Sequence, residues 1–321
     1  MPFNRKNLIR IREDYNTKAR RAEDAADALK FDLWTKIPGL RTIDLRLSKT
    51  GPRLFAVALH QSSETVESIR ADNDKLLADR AELLRANGYP TDYTEPKYEC
   101  RLCSDQGFVG TKMCSCMRSK LIEAGYESAG IANLMRTQSF ETFDLSFYRQ
   151  NARAYENMRY IYDTMKEYAE SFDTASPANL ALFGGTGLGK THLSTAVAKV
   201  VIERGFDVVY TGVIGLLGDF EQARFGNSSG NESGYSTDRY FECDLLIIDD
   251  LGAEVSNQFT VSCIYNIIND RINLGLSTIL STNLSPAEMN SRYWDRITSR
   301  ILGEYRPLVF TGVDVRKQKL N

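Results

Sequence analysis

Residues 184–191 read Gly-Gly-Thr-Gly-Leu-Gly-Lys-Thr, and the fold turns on how this stretch is read. It fits the pattern G-x-x-x-x-G-K-[ST] without mismatch. The glycines let the backbone turn until several N–H groups point inward at an anion, and a following helix adds its positive end. Lys190 brings a mobile charge to the β- and γ-phosphates of a nucleotide, and the Thr191 hydroxyl can ligate Mg2+. The flanks agree: Leu180–Phe183 is a short apolar run that reads as a strand, and His192–Glu203 reads as a helix. A glycine-rich turn before an ordinary helix is the bland alternative, but it leaves the strand unexplained. Gly184, Gly185, Thr186, Gly187, Leu188, Gly189, Lys190 and Thr191 are therefore the expected nucleotide-binding set, with ATP and Mg2+ as cofactors.

Working downstream, Asp207–Thr211, Leu245–Ile248, Ser277–Ser281 and Leu308–Thr311 read as further strands, with a helix over 257–273. Strands alternating with helices predict an α/β fold with a five-stranded parallel sheet and right-handed crossovers. The run Leu245–Ile248 carries Asp249 and Asp250 to the carboxyl edge of that sheet, where ligands bind in such folds. Asp249 is placed to hold Mg2+, and Asp250 to activate or position a water. A pair of solvated turn aspartates is the other reading. Glu254 is a weaker candidate for a supporting carboxylate. Strand four ends at Thr282-Asn283, where Asn283 can reach the γ-phosphate or can simply cap the next helix.

Arg296 and Arg300 stand four apart, on one helix face. Such arginines are usually solvated, but one of them could stabilise transition-state charge on a neighbouring subunit's nucleotide. Arg316 lies in a basic tail. The segment 213–241 holds Phe220, Arg224, Phe225 and Arg239. Aromatics with arginine suit base stacking and phosphate contact on a nucleic-acid strand; a packed amphipathic helix with a solvated loop fits equally. Within it, 226–236 is a flexible loop by composition.

Upstream, residues 1–50 carry 12 Lys/Arg against 7 Asp/Glu without a clear period, as in a helical arm or a partly disordered segment. Residues 58–86 read as a helix with Leu59, Val66, Ile69, Leu76 and Leu83 on one face, interrupted by Asn73 and Arg80 and stopped at Asn87-Gly88. Such a stripe packs inside its own domain or binds a partner. Cys100, Cys103, Cys114 and Cys116 form C-x2-C-x10-C-x-C. Four thiolates this close favour a closed, structural Zn2+ site; an iron–sulfur cluster or a redox pair is the alternative. Cys243 and Cys263 flank apolar runs and read as core. His60 and His192 carry no evident chemistry. A further helix with Tyr155, Met158, Tyr162, Met165, Ala169 and Phe172 on one face leads to Ser176-Pro177. The domains expected are 1–118, helical and zinc-binding; a linker over 119–150; and an ATPase domain over 151–321.

The net charge of −2 excludes a global polycation, so nucleic-acid contact must be local. Neither a membrane-spanning run of about 18 apolar residues nor a secretory leader is evident, which points to the cytoplasm and to reduced thiols.

Together GGTGLGKTHLS, DLLIIDDLGAE, STNLS, DRITSRI and the closing DVRKQK resemble the DnaC/DnaI-type replicative helicase loaders of bacteria and phages, which are AAA+ ATPases with an IstB-like core. The resemblance is strong over 140–321; upstream it rests on the cysteines. It implies that Asn283 is sensor 1, that Arg300 rather than Arg296 is the arginine finger, and that Arg316 is the sensor-2 residue. It also implies an AAA+ core without a helical lid, since 21 residues follow Arg300. The N-terminal domain would hold a DnaB-type hexameric helicase, and the subunits would self-associate through their ATP sites around single-stranded DNA. Hydrolysis would be slow and switch-like. An IstB-type transposition helper ATPase shares every core residue and is the alternative, whereas a metabolic P-loop kinase is disfavoured by Asn283 and the paired arginines.

Overall fold

The computed structural model describes residues 3–225 and 237–318. Contacts divide the chain into two compact units, Arg10–Met117 and a larger one made of Met1–Ile9 with Arg118–Asn321.

The chain opens with helix α1 (Arg5–Lys36), followed by α2 (Pro38–Leu47), α3 (Thr50–Ala58) and α4 (Val66–Ala86). Ile11, Tyr15, Ala19, Ala26 and Leu33 are the buried face of α1. That face is mostly small or polar-tipped, which hides its period from a reading of apolar residues. Leu33, Ile37, Leu40 and Leu84 form the core of this smaller unit. The helix expected to start at 58 starts at Val66 instead, capped by Thr65 and Ser68. His60 takes a positive φ of 55° and breaks the chain between α3 and α4. Leu59 and Val66 are exposed, while Ile69 and Leu76 are buried. Both interruptions of the stripe have partners. Arg80 Nε donates to the buried Asp44 at 2.8 Å, and Thr50 donates to Asn73 Oδ1 at 3.1 Å. The stop is as expected: Asn87 caps α4 and Gly88 follows at φ 78°. The unit closes on a hairpin of β1 (Phe108–Val109) and β2 (Lys112–Met113).

The larger unit continues through α5 (Ser115–Ser128), α6 (Ala132–Met135), a 3-10 turn at Leu145–Tyr148 and α7 (Ala152–Ser171). Its α/β portion then runs β3 (Leu180–Phe183), α8 (Lys190–Glu203), β4 (Val208–Gly212), α9 (Val213–Phe225), α10 (Arg239–Glu242), β5 (Leu245–Leu251), α11 (Gln258–Asn273), β6 (Ser277–Thr282), α12 (Pro286–Glu304), β7 (Arg306–Val309) and α13 (Val315–Gln318). The sheet order is β4-β5-β6-β3-β7 and every pairing is parallel. This is the five-stranded, all-parallel sheet expected of the α/β fold.

Strand side chains alternate faces, and both faces of this sheet are covered. Leu180, Leu182, Leu245, Ile247 and Ile279 enter one core cluster; Ala181, Phe183, Leu246, Ile248 and Leu280 enter the other. Hence the strands read as continuous apolar runs. The exception is β7, which begins two residues earlier than expected. It is an edge strand with only Leu308 buried, so its pattern carries little apolar signal.

Residues 119–150 depart from the expected linker. Ala129, Ile131, Met135, Phe140 and Tyr148 are buried in the first of these clusters with α7 and α8. The segment is thus an integral layer of the larger unit, because its aromatic residues find an apolar face to cover. α7 ends at Ser171, capped by Phe172, short of Ser176. The loop expected over 226–236 lies outside the described residues.

Candidate functional site

The 184–191 loop leaves β3 and enters α8 through Gly189 at φ 91°. Gly184, Gly187 and Gly189 all have neighbours where a Cβ would stand. A Cβ on Gly187 would lie 1.8 Å from Asp314 Oδ1, and one on Gly189 would lie 2.7 Å from the Phe143 ring. The loop is therefore gripped from both sides, by the C-terminal segment and by the 138–148 segment. Val315 N–H donates to Gly187 O at 3.0 Å, and Tyr148 Oη donates to Leu188 O at 2.9 Å. Burial pushes the Tyr148 hydroxyl up to about 12, which keeps it a donor.

Lys190 is buried, and its Nζ donates to Gly184 O at 2.6 Å, Gly185 O at 2.9 Å and Asn283 Oδ1 at 2.6 Å. Burial lowers its pKa from the ordinary lysine value, against the opposing pull of Asp249 and Asp250. Asn283 in turn donates through Nδ2 to Asp250 Oδ1 at 2.8 Å. Lys190, Asn283 and Asp250 thus form one chain of contacts across the ends of β3, β6 and β5.

A β-bulge sets up the acidic pair. Ile248 pairs with Leu280 and Leu251 with Thr282, so two residues of β5 face one of β6. Asp250 sits in the bulge at φ 59°, a left-handed conformation of the kind that concentrates at functional sites. Its N–H donates to Ser281 Oγ at 3.0 Å. Asp249 is held by hydroxyls: Thr191 Oγ1 at 3.0 Å and Tyr210 Oη at 2.7 Å donate to Oδ2, and Ser281 Oγ donates to Oδ1. Oxygen donors from Thr191 and Asp249 in one place are the hard-ligand chemistry that Mg2+ takes, so these residues fit the ion.

One cavity of about 400 Å3 contains Thr186–Thr191, Asp249, Asp250, Asn283 and Arg316, with Gln138, Phe143 and Tyr148 on a further wall. Arg300 is elsewhere: Nε donates to Asn269 Oδ1 at 3.0 Å, and the guanidinium lies 4.9 Å over the Tyr265 ring. It does not complete the cavity of its own chain. Glu254 departs from the supporting role expected of it. It is buried, salt-bridged to Arg292 at 3.2 Å and accepts from Gly252 N–H at 2.9 Å, which makes it a structural ion pair. Phe220 is also not free for base stacking. Its ring packs against the core and stacks on Tyr240 at 6.0 Å. Arg224 is exposed, with its guanidinium 5.3 Å over Phe259. The side chain of Phe225 lies outside the described residues.

Sequence reading missed Tyr210, Ser281, Phe143, Tyr148 and Asp314. Ser281 was findable, since it lies two residues before Asn283 on the same strand face. Tyr210 was not, because only the β4–β5 register brings it beside Asp249. His192 does more than open a helix: its Nε2 lies 2.9 Å from Ser139 O and 3.2 Å from Thr142 Oγ1 at the cavity wall.

In the smaller unit the sulfurs of Cys100, Cys103, Cys114 and Cys116 all lie within 4.8 Å of one another. Cys100 and Cys114 are 3.8 Å apart, and Cys103 and Cys116 3.6 Å. Zn–S bonds of about 2.3 Å in a tetrahedron require sulfur separations of about 3.8 Å, so the residues fit Zn2+. Asp105 shapes the first knuckle, accepting from the Glu99 and Cys100 N–H groups at 2.8 Å each. Gly107 must lack a Cβ, which would lie 2.4 Å from Met117 Sδ. Cys243 and Cys263 are buried core residues, as expected.

A profile described as IstB-like ATP binding protein matches residues 127–304, more than half of the chain. The chain belongs to the IstB-like ATP-binding family. Similarity extends to the replicative helicase loader DnaC of Buchnera aphidicola subsp. Baizongia pistaciae, 26% identical over 191 residues, which are 59% of this chain and 74% of that protein. DnaC of Escherichia coli K12 is 26% identical over 202 residues, 63% of this chain and 78% of that one. A crystal structure of the DnaC helicase loader aligns with a TM-score of 0.46 and 23% identity, covering 54% of this chain and 97% of that one. This IstB-like chain has no helix, among the described residues, long and apolar enough to cross a membrane.

Proposed function

We propose that the protein is an ATPase that loads a DnaB-type replicative helicase onto single-stranded DNA. The observation that carries the ATPase reading is the meeting of Thr191, Asp249, Lys190 and Asn283 at one sheet edge. The loop amides and Lys190 would bind the phosphates, and Thr191 with Asp249 would hold Mg2+, which supplies charge neutralisation at the β- and γ-oxygens. Tyr210 and Ser281 fix the Asp249 carboxylate. Asp250 is the base or water positioner, its carboxylate held by the Asn283 Nδ2 donor. Arg316, at the cavity, is the sensor-2 candidate.

Arg300, turned away from its own cavity, is the group that a neighbouring subunit's nucleotide would meet, so the active form is an assembly. The loader role is supported by the similarity to DnaC and by the four-cysteine unit, which is the proposed helicase-binding module. Arg224, exposed on α9, is a candidate for DNA contact. Turnover is slow and switch-like, and the setting is cytoplasmic. The transposition-helper reading is favoured by the family profile alone.

Two experiments decide. Mixing Lys190→Ala chains with Arg300→Ala chains should restore ATPase activity that neither variant has, because one intact composite site forms; no restoration removes the trans assignment. Co-purification with a DnaB-type helicase in the presence of ATP, but not with a transposase, is the expected partner result. The reverse outcome assigns the transposition role.

A further inference from the structure

Helix α12 is broken at Trp294, where φ is 61° and ψ 169°. That backbone region is almost confined to glycine, and strain of this kind gathers at functional positions. Met289 and Tyr293 before the break and Ile297 and Ile301 after it are buried in the core, so both halves of the helix are anchored. The indole between them is not. Trp294 is 59% exposed, although tryptophan is among the side chains with most area to bury. It stands between two surface grooves. One, of about 730 Å3, holds Ser256 and Leu284; the other, of about 660 Å3, holds Tyr265 and Arg296. The loop after β5 adds Val255, which is 81% exposed, and is fastened to α12 where Ser256 Oγ donates to Arg292 O at 3.4 Å.

The charges of this corner indicate what covers it. Arg296 is exposed, and Arg300 lies over Tyr265, a wall of the second groove. Among the described residues neither guanidinium has a salt bridge; Arg300 donates to Asn269 Oδ1 and to the Arg296 carbonyl. A surface of this chain that complements two such arginines is the nucleotide cavity, with Asp249 and Asp250 and, when loaded, a triphosphate. An apolar aromatic anchor beside charge of one sign, facing a pocket of the other, is how specific contacts are built.

We infer that Trp294 anchors the contact between two copies of this chain, its indole seated against the copy whose nucleotide cavity Arg300 enters. This rests on the reading of Arg300 as acting on a neighbour's nucleotide, and adds the residue that holds the two copies together.

Trp34→Phe leaves Trp294 as the sole tryptophan. With Mg2+ and a non-hydrolysable ATP analogue, its emission should move to shorter wavelength as the chain concentration rises, and quenching by acrylamide should fall about threefold as the ring leaves water. In sedimentation velocity, Trp294→Ala in the otherwise unchanged chain should weaken nucleotide-driven assembly about 30-fold or more. Analogue binding by the same variant, diluted, should stay within about twofold of the wild type. Mixed chains locate the residue. Trp294→Ala should regain ATPase activity with Lys190→Ala, whose α12 corner is intact, but not with Arg300→Ala, which is damaged on the same side. An indole that stays in water in the assembled chain, or wild-type assembly by Trp294→Ala, would overturn the inference and leave the role of Arg300 standing. Activity from Trp294→Ala mixed with Arg300→Ala would put the two residues on different contacts and also overturn it. No assembly by the wild type, together with no activity from mixed Lys190→Ala and Arg300→Ala chains, would remove the trans reading of Arg300 and this inference with it.

Discussion

The nucleotide edge of the larger unit and the cysteine knuckle of the smaller one solve opposite problems. Thr191, Asp249 and Asn283 come from distant parts of the chain and meet only because β3, β5 and β6 pair in one register. There the fold makes the site. The four cysteines lie within 100–116, on turns beside a hairpin of two-residue strands and at the start of α5. A metal bound there would in turn stabilise the local fold, as in small metal-dependent modules.

That contrast predicts separable failures. The largest effect is expected for Asp250→Asn, which keeps the shape and the contact with Asn283 but removes the base. ATP turnover should fall about 100- to 10,000-fold, with nucleotide affinity and knuckle unchanged. Comparable turnover would move the base elsewhere. Next, Lys190→Ala should weaken ATP binding about 100-fold, the equivalent of roughly 3 kcal/mol of charge-assisted bonds. The melting temperature of the nucleotide-free chain should hardly change, because Lys190 contacts only loop carbonyls and Asn283.

Zinc removal, or Cys103→Ser, should do the converse. The smaller unit should lose about 4 kcal/mol of stability, the linkage expected for a ligand held at about 1,000 times its dissociation constant. Amide exchange over 99–117 should rise while ATP affinity stays within about twofold of the wild type. A matching loss of ATP binding would show that the two sites are not independent. The smallest effect belongs to Tyr210→Phe. It removes one of the bonds on Asp249, about 1 kcal/mol, and should weaken Mg2+-dependent binding about fivefold. An unchanged Mg2+ dependence would mean that Asp249 needs no such support.

The same contrast explains what the sequence could disclose. The phosphate loop, the acidic pair and the cysteines announce themselves because their chemistry needs fixed residue types at fixed local spacing. So do the strands, since a sheet covered on both faces leaves unbroken apolar runs. Residues that act across the sheet are silent. Tyr210 is an ordinary strand tyrosine until its register places it on Asp249. The bulge at Asp250 leaves no mark in an apolar run. The 119–150 segment looked like a connector because its buried residues are scattered between short turns. Phe140 and Phe143 were visible, but not the face they cover. Phe220 is the converse case, where one of two equal readings, packing against the core, matches the ring stacked on Tyr240.

The central claim is that this sheet edge binds the Mg2+ complex of ATP through the loop of 184–191. Isothermal titration of the full chain with a non-hydrolysable ATP analogue, with and without Mg2+, tests it most directly. Saturable binding to one site per chain is expected, tightened by Mg2+ and weakened about 100-fold by Lys190→Ala. No heat of binding, or binding indifferent to both the ion and Lys190, would contradict it.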